Sequence, residues 1–521
     1  MSNSLVTQQV KAEELQTVDS PILAKLPSVN KCDDLLVNMV DGPTMTGWDD
    51  PNDMANPYNW PSSRKVTIGL VASTTQLITT MSASMVVPAL DHILADLGMD
   101  AFDGQIAFSV FFLGLGFAPF VVAPLSEMYG RRPVWLGGNL FYILWNSLCP
   151  VGKSPALMTI GRFLCACGAS VGVTLTSPIL ADMYTAKNRG TAIAIGSLLP
   201  YLGPALGPII GGVAAQYLHW PWLFWILSIT AALGTLLGYL LIPETYGPVL
   251  LEHRSSSMTA PVAKKQYLSW KSGWQESKSA LSDFWKRFRP AVRAPVRLLL
   301  VRPVVQLIAL ALALEFGTYT LVLGSFATLW QDQYHMSSTQ AGLHYIAIAV
   351  GALICSQLGS RLMDFIWRRM KAARPNQVPV PEYRIPFIAI SIIPSAAGLF
   401  WYAWAAQKHA HWAVVDTGIA IFTLAGFMCA QGFFAYLFDE FPQKLSASAS
   451  AASRLGTYTL GFAFPIFGPD LYKNLGYGWG YTLLGLLFAL PTTLITASLW
   501  TCGENIREKR RTASEQEDIA S

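Results

Sequence analysis

Twelve apolar runs, each of about 20 residues, decide what this chain can fold into. A helix needs about 20 predominantly apolar residues to cross the hydrocarbon core of a bilayer. Inside that core every backbone N–H and C=O must be paired within the chain, so only helices and closed barrels span it. The runs lack the period-two alternation of barrel strands and therefore predict helices. A first set lies near 66–87, 104–124, 134–150, 157–182, 190–214 and 222–242, and a second near 303–329, 340–362, 386–405, 412–438, 446–468 and 479–501. The third run is short and interrupted by Asn139 and Asn146. Composition agrees, since 13% of the 521 residues are charged against about 25% in soluble proteins. The expectation is an all-α polytopic membrane protein with 12 transmembrane helices in two six-helix halves.

Basic residues give the orientation. One set of loops carries Arg64, Lys65, Arg131, Arg132, Lys187, Arg189, Arg368, Arg369, Lys371, Arg374 and Lys444, and the C-terminal tail adds Arg507, Lys509, Arg510 and Arg511. The alternate loops carry only Lys153, Lys408 and Lys473. By the positive-inside rule both termini are expected in the cytoplasm. Trp222, Trp225, Trp401, Trp404, Trp412, Trp479 and Trp500 fall near predicted span ends, where an aromatic belt belongs. The polar start, with Asp33, Asp34, Asp49, Asp50 and Asp53, does not read as a cleavable signal peptide. Most of the seven cysteines sit inside apolar runs, and Cys165 and Cys167 lack metal-ligand spacing, so no metal is expected. A net charge of +4 points to no nucleic-acid partner.

Five segments result: a polar cytoplasmic tail 1–63, a first half 64–243, a basic central loop 244–302, a second half 303–501 and a tail 502–521. In the central loop Lys264, Lys265, Lys271, Lys286 and Arg287 alternate with Trp270, Trp274 and Trp285. Such a segment is either a plain linker or an amphipathic stretch lying on the anionic inner leaflet. The loop after span two reads Glu127-Met-Tyr-Gly-Arg131-Arg132, and the loop after span eight Asp364-Phe-Ile-Trp-Arg368-Arg369. An acid four residues ahead of paired arginines, at the same place in each half, suggests duplication, a plan that places a site between repeats.

Span five reads Gly203-Pro204-Ala-Leu-Gly207-Pro208-Ile-Ile-Gly211-Gly212. The glycines admit another helix closely, and each proline removes a backbone donor and bends the helix. This segment resembles the span-five antiporter signature of the major facilitator superfamily. Ala123 to Arg132 resembles that family's loop 2–3 signature, with Ala123 for the usual glycine and Met128 for a usual basic residue. Arg162-Phe163 with Ala166 and Ala169 resembles its span-four signature. Pro243-Glu244-Thr245, Asp50-Pro51 and Asn56 to Trp60 resemble the fungal twelve-span drug:proton antiporter branch.

Charges inside a membrane are functional candidates. Arg162 is one, and the resemblance implies a role in the cavity or in proton coupling. Glu315 in span seven is the candidate proton carrier. His344 in span eight has a side chain suited to protonation, and Arg454 in span eleven suits an anionic substrate group. Gln76 and Tyr319 stand for the polar linings of spans one and seven. The resemblance implies that Glu127, Arg131, Arg132 and Asp182 form an ion-pair latch that breaks when the halves rock. The expected function is export of a small organic molecule, a drug, toxin or secondary metabolite, by proton antiport with alternating access. Export of a small carboxylate is the alternative, and a non-transporting sensor a remote one. No enzyme activity is expected and no cofactor beyond a proton gradient. The expected partners are substrate and membrane lipids, around a monomer in the plasma membrane.

Overall fold

A computed structural model of the chain describes residues 53–184, 196, 198–258, 285, 286, 288–290, 292–373, 380–441 and 443–520. The expectations placed on Lys187, Arg189, Arg374, Trp270 and Trp274, and on most of the central loop, lie outside these residues. The chain divides into a large unit, Met45–Ile506, and a small one made of Met1–Thr44 with Arg507–Ser521. In the small unit the described part, 507–520, is helical.

The large unit contains twelve long helices, one for each apolar run. They are α1 (Ser62–Ser84), α2 (Ala101–Tyr129), α3 (Arg131–Leu148), α4 (Pro155–Met183), α5 (Leu198–Tyr217), α6 (Pro221–Leu241), α7 (Pro303–Asp332), α8 (Ser338–Ala373), α9 (Ile385–Gln407), α10 (Trp412–Glu440), α11 (443–475) and α12 (477–506). Gly476, at φ 70°, breaks the last two apart. Nine described stretches are long and apolar enough by themselves to cross a membrane. The number falls short of twelve because α11 and α12 run on as one stretch, α3 opens on two arginines and carries two asparagines, and only part of the fifth run is described.

Lipid-facing stripes mark the outer helices. On α6, Ile229, Leu233, Leu236 and Leu240 are all more than half exposed, as a bilayer requires and water would not permit. Asn139 and Asn146 face inward instead. Asn146 Nδ2 donates to the Phe224 carbonyl at 2.7 Å and to Ser228 Oγ at 2.9 Å, fastening α3 to α6. In each half the fourth helix is the hub, since α4 packs on α1, α2 and α3 while α10 packs on α7, α8 and α9.

The residues just ahead of α1 form a folded strap. Trp60 is buried, and its Nε1 donates to the Met54 carbonyl at 3.1 Å. Asp53 pairs with Arg254 on the helix Gly247–Met258 that follows α6. The Asp53 carboxyl lies below the usual carboxylate range, first because it accepts from the Ala55 N–H and second because of Arg254. A depressed folded pKa means the strap's contribution is complete above the ordinary carboxylate pKa and is lost as pH falls through the folded value. Proteolysis ahead of α1 should therefore stay slow at neutral pH and quicken only in strong acid, whereas Asp53→Asn should quicken it at neutral pH.

Candidate functional site

Glycines set how closely α5 approaches its neighbours. A Cβ on Gly207 would fall 2.5 Å from Ser84 Oγ and 2.8 Å from the Met81 carbonyl of α1. Cβ atoms on Gly203 and Gly211 would strike Thr80 and the Met85 carbonyl, also on or beside α1. Gly212 faces the other way, against the Ser338 carbonyl at the start of α8, and Gly342 of α8 returns the contact to the Pro208 carbonyl. The motif from Gly203 to Gly212, with Pro204 and Pro208 inside the helix, thus wedges α5 between the first helix of its own half and a helix of the other half.

Aromatic rings cross between the halves beside this wedge. Phe112 of α2 meets Phe316 of α7 at 5.7 Å, and Phe316 meets Tyr458 of α11 at 5.2 Å. Tyr319 meets Phe427 of α10 at 5.2 Å, and Phe427 meets Tyr201 of α5 at 5.8 Å. The Tyr319 hydroxyl is buried with no hydrogen-bond partner among the described residues. Gln76 is half-buried, with its backbone against Gly172 of α4.

Glu315 lies one helical turn before Tyr319, and only 5% of it is exposed. A Cβ on Gly426 of α10 would fall 2.9 Å from its Oε1, and 3.4 Å from Ser395 Oγ of α9. No basic side chain pairs with Glu315 among the described residues. Its carboxyl is therefore an isolated acid held where α7, α9 and α10 meet.

The two membrane arginines have different contacts. Arg162 is 1% exposed; its Nη1 donates to the Ser82 carbonyl of α1 at 3.0 Å, and its guanidinium lies 4.5 Å from the Phe111 ring. Its Nε and Nη2 are buried without partners among the described residues. Arg454 is only half-buried and rests 5.2 Å from the ring of Phe434. By helix register, Arg162 is nearer the end of the bundle opposite Arg131, and Arg454 nearer the Arg131 end.

At the Arg131 end, Arg131 Nε bonds Asp182 Oδ2 at 3.2 Å and its Nη1 donates to Ser126 Oγ at 2.6 Å. The acid that completes this cluster is Glu244. Its carboxylate accepts the backbone N–H groups of Arg131 at 2.9 Å and Arg132 at 3.1 Å, an anion on the N-terminus of α3. Gly130, at φ 95°, makes the sharp turn that allows this, and a Cβ there would collide with that carboxylate. Arg132 Nη2 donates to the Tyr239 carbonyl at 2.8 Å, tying α3 to α6. Glu127, expected in the latch, is instead exposed and makes no ion pair among the described residues. Sequence reading met Glu244 only as part of a family mark; an acid directly after a span end, facing a loop with two arginines, was the available signal. Replacing Glu244 by alanine orphans four N–H groups, those of Arg131, Arg132, Thr245 and Tyr246, and should destabilise the purified protein by about 1–2 kcal/mol, read as a fall of several degrees in its unfolding temperature.

The second half has its own cluster, which keeps the repeat's acid, Asp364, 4.0 Å from Arg384 Nη1, but not the repeat's arginines. Arg384 Nε bonds Asp439 Oδ2 at 2.7 Å, joining the start of α9 to the end of α10 as Arg131 joins α3 to α4. Arg368 and Arg369 remain on α8, exposed. Trp367 stands where the first half has Gly130; a tryptophan does not take positive φ, so α8 runs on to Ala373 instead of breaking.

His344 was expected alone and is paired. Its Nδ1 lies 2.8 Å from Asp416 Oδ2 of α10, and its ring stacks on Trp330 at 3.8 Å. Asp416 was missed, although the rule that singled out Glu315 applies equally to an acid inside the tenth run.

Residues 72–465 match the Major Facilitator Superfamily. An uncharacterized transporter of Schizosaccharomyces pombe is 34% identical over 488 residues, 93% of this chain and 97% of that one. A probable efflux pump of Aspergillus flavus is 34% identical over 435 residues, 82% of this chain and all (100%) of that one. Among solved structures, the xylose transporter XylE from E. coli, in a partially occluded inward-open conformation, aligns with a TM-score of 0.58 at 17% identity, covering 84% of this chain and 98% of that one, and so supports the fold alone. Twelve helices in two similar halves, meeting at a glycine-rich wedge, define a multi-pass membrane transporter rather than an enzyme. The chain belongs to the major facilitator superfamily.

Proposed function

We propose that this transporter exports a small organic molecule by proton antiport, with the two halves rocking about the α5–α8 contact. The observation that carries export is the similarity over most of the chain to a protein described as a probable efflux pump. Glu315 supports proton coupling. A carboxyl buried without a cation is costly to keep charged, so its gain and loss of a proton depend on whether water reaches it, and rocking changes that access. With the Arg131 end taken as cytoplasmic by its basic loops, the Arg131–Asp182–Glu244 cluster is the latch on that face, in a plasma membrane carrying both termini inside.

The aromatic rings around Tyr319 suit an uncharged or weakly charged ring-bearing cargo. A second reading, an organic acid, has a specific observation behind it: Arg162 holds two buried N–H donors with no partner among the described residues. Uphill efflux from vesicles of an aromatic probe should collapse on adding a protonophore; transport that stays uphill would rule out proton coupling. Competition by a carboxylate, lost in Arg162→Gln, would decide for the acid.

A further inference from the structure

His344 and Asp416 sit in an unusual place for charged partners. Intramembrane acids and histidines almost always face the bundle interior or a water-filled path. This pair instead lines a pocket of about 480 Å³ between α8 and α10, towards the end opposite Arg131. The rim of that pocket is lipid-facing: Leu343 is 46% exposed, Ile346 48% and Trp412 50%. Asp416 Oδ2 bonds the imidazole, but Oδ1 is buried and has no hydrogen-bond partner among the described residues. Water that would satisfy such an oxygen is scarce beside lipid, so a carboxylate here calls for a donor.

Gln340, on the same wall, accepts the Ser337 N–H through Oε1 at 3.1 Å, which leaves its amide N–H groups to donate. The pocket therefore offers an acceptor for a cation, a donor for an anion a short distance away, an indole at the rim for the cation's face, and an apolar slope along Leu343 and Ile346. That set of groups fits a zwitterionic amphiphile. The geometry points to a seat for one phospholipid with an ammonium headgroup, its nitrogen on Asp416, its phosphate towards Gln340 and its acyl chain along α8.

The location gives the lipid leverage. Gly342, two residues before His344, is the α8 residue that touches the Pro208 carbonyl of α5. A lipid in this seat braces the back of the helix whose front forms the contact between the halves. The inference does not depend on the direction of transport or on its coupling.

Native mass spectrometry of the delipidated full chain, titrated with phosphatidylethanolamine or phosphatidylglycerol, tests it. Wild type should retain phosphatidylethanolamine at least about tenfold more tightly than phosphatidylglycerol, the worth of one hydrogen bond to a charged group. Asp416→Asn should abolish that preference. Leu343→Trp, which fills the slope without touching the ion pair, should weaken retention of the lipid and decides the matter if Asp416→Asn does not fold. Equal retention of the two lipids by wild type, or unchanged retention of phosphatidylethanolamine in Leu343→Trp, would overturn the proposal. So would dodecyltrimethylammonium binding at Asp416 where phosphatidylethanolamine does not.

Discussion

Glu315→Gln is expected to yield a folded, membrane-inserted protein that no longer drives transport uphill. Glutamine keeps the shape of the carboxyl and fits the same space beside Gly426 and Ser395. It removes only the ability to exchange a proton. Because Glu315 has no cationic partner among the described residues, the change leaves no stranded charge, and stability should move by no more than about 1 kcal/mol. Accumulation against a gradient should fall to background in proteoliposomes, while exchange of labelled for unlabelled substrate continues. If the variant still concentrates substrate under an imposed pH gradient, Glu315 is not the coupling acid and the proton route runs elsewhere.

Gly207→Leu should lose transport for a different reason. Its Cβ alone would lie 2.5 Å from Ser84 Oγ and 2.8 Å from the Met81 carbonyl, and backbone cannot step aside as a flexible side chain would. Overpacking of this kind typically costs about 1–3 kcal/mol, and here it would also spread α1 from α5 and jam the wedge. Gly137→Leu is the control, since nothing lies within 4 Å of a Cβ at that position. The expected pattern is normal surface expression for both variants, transport only in the control, and a lowered unfolding temperature only in Gly207→Leu. Equal transport in the two would remove the close approach of α5 from the mechanism.

What was legible in the sequence was whatever depends on short stretches. Run length alone placed the fourth span near 157–182, where α4 covers Pro155–Met183, and the tenth near 412–438, where α10 covers Trp412–Glu440. The glycine–proline pattern announced a close helix contact, though not that it would face both α1 and α8. Partnerships across long separations were not legible. Arg131 and Glu244 are 113 residues apart, and nothing local says that the second caps the helix of the first. His344 and Asp416, 72 apart, pair only because α8 and α10 pack together. The repeat misled in one respect. Matching acids and arginines in the two loops hid the substitution that mattered, Gly130 by Trp367, which turned a helix break into a continuous helix and moved the pairing arginine to position 384.

The capping of α3 by Glu244 also sets an order of events during synthesis. When α3 leaves the ribosome, the carboxylate that satisfies its first two N–H groups has not yet been made, because it follows α6. Until then Arg131 and Arg132 have only Asp182, from the end of α4, as an acidic partner from a later span. The first half can close its own end only once six helices are in the bilayer, and it can do so before any of the second half is translated. A mutation at Glu244 would thus burden insertion and early quality control, and its first symptom would be a shortage of mature protein rather than a slower pump.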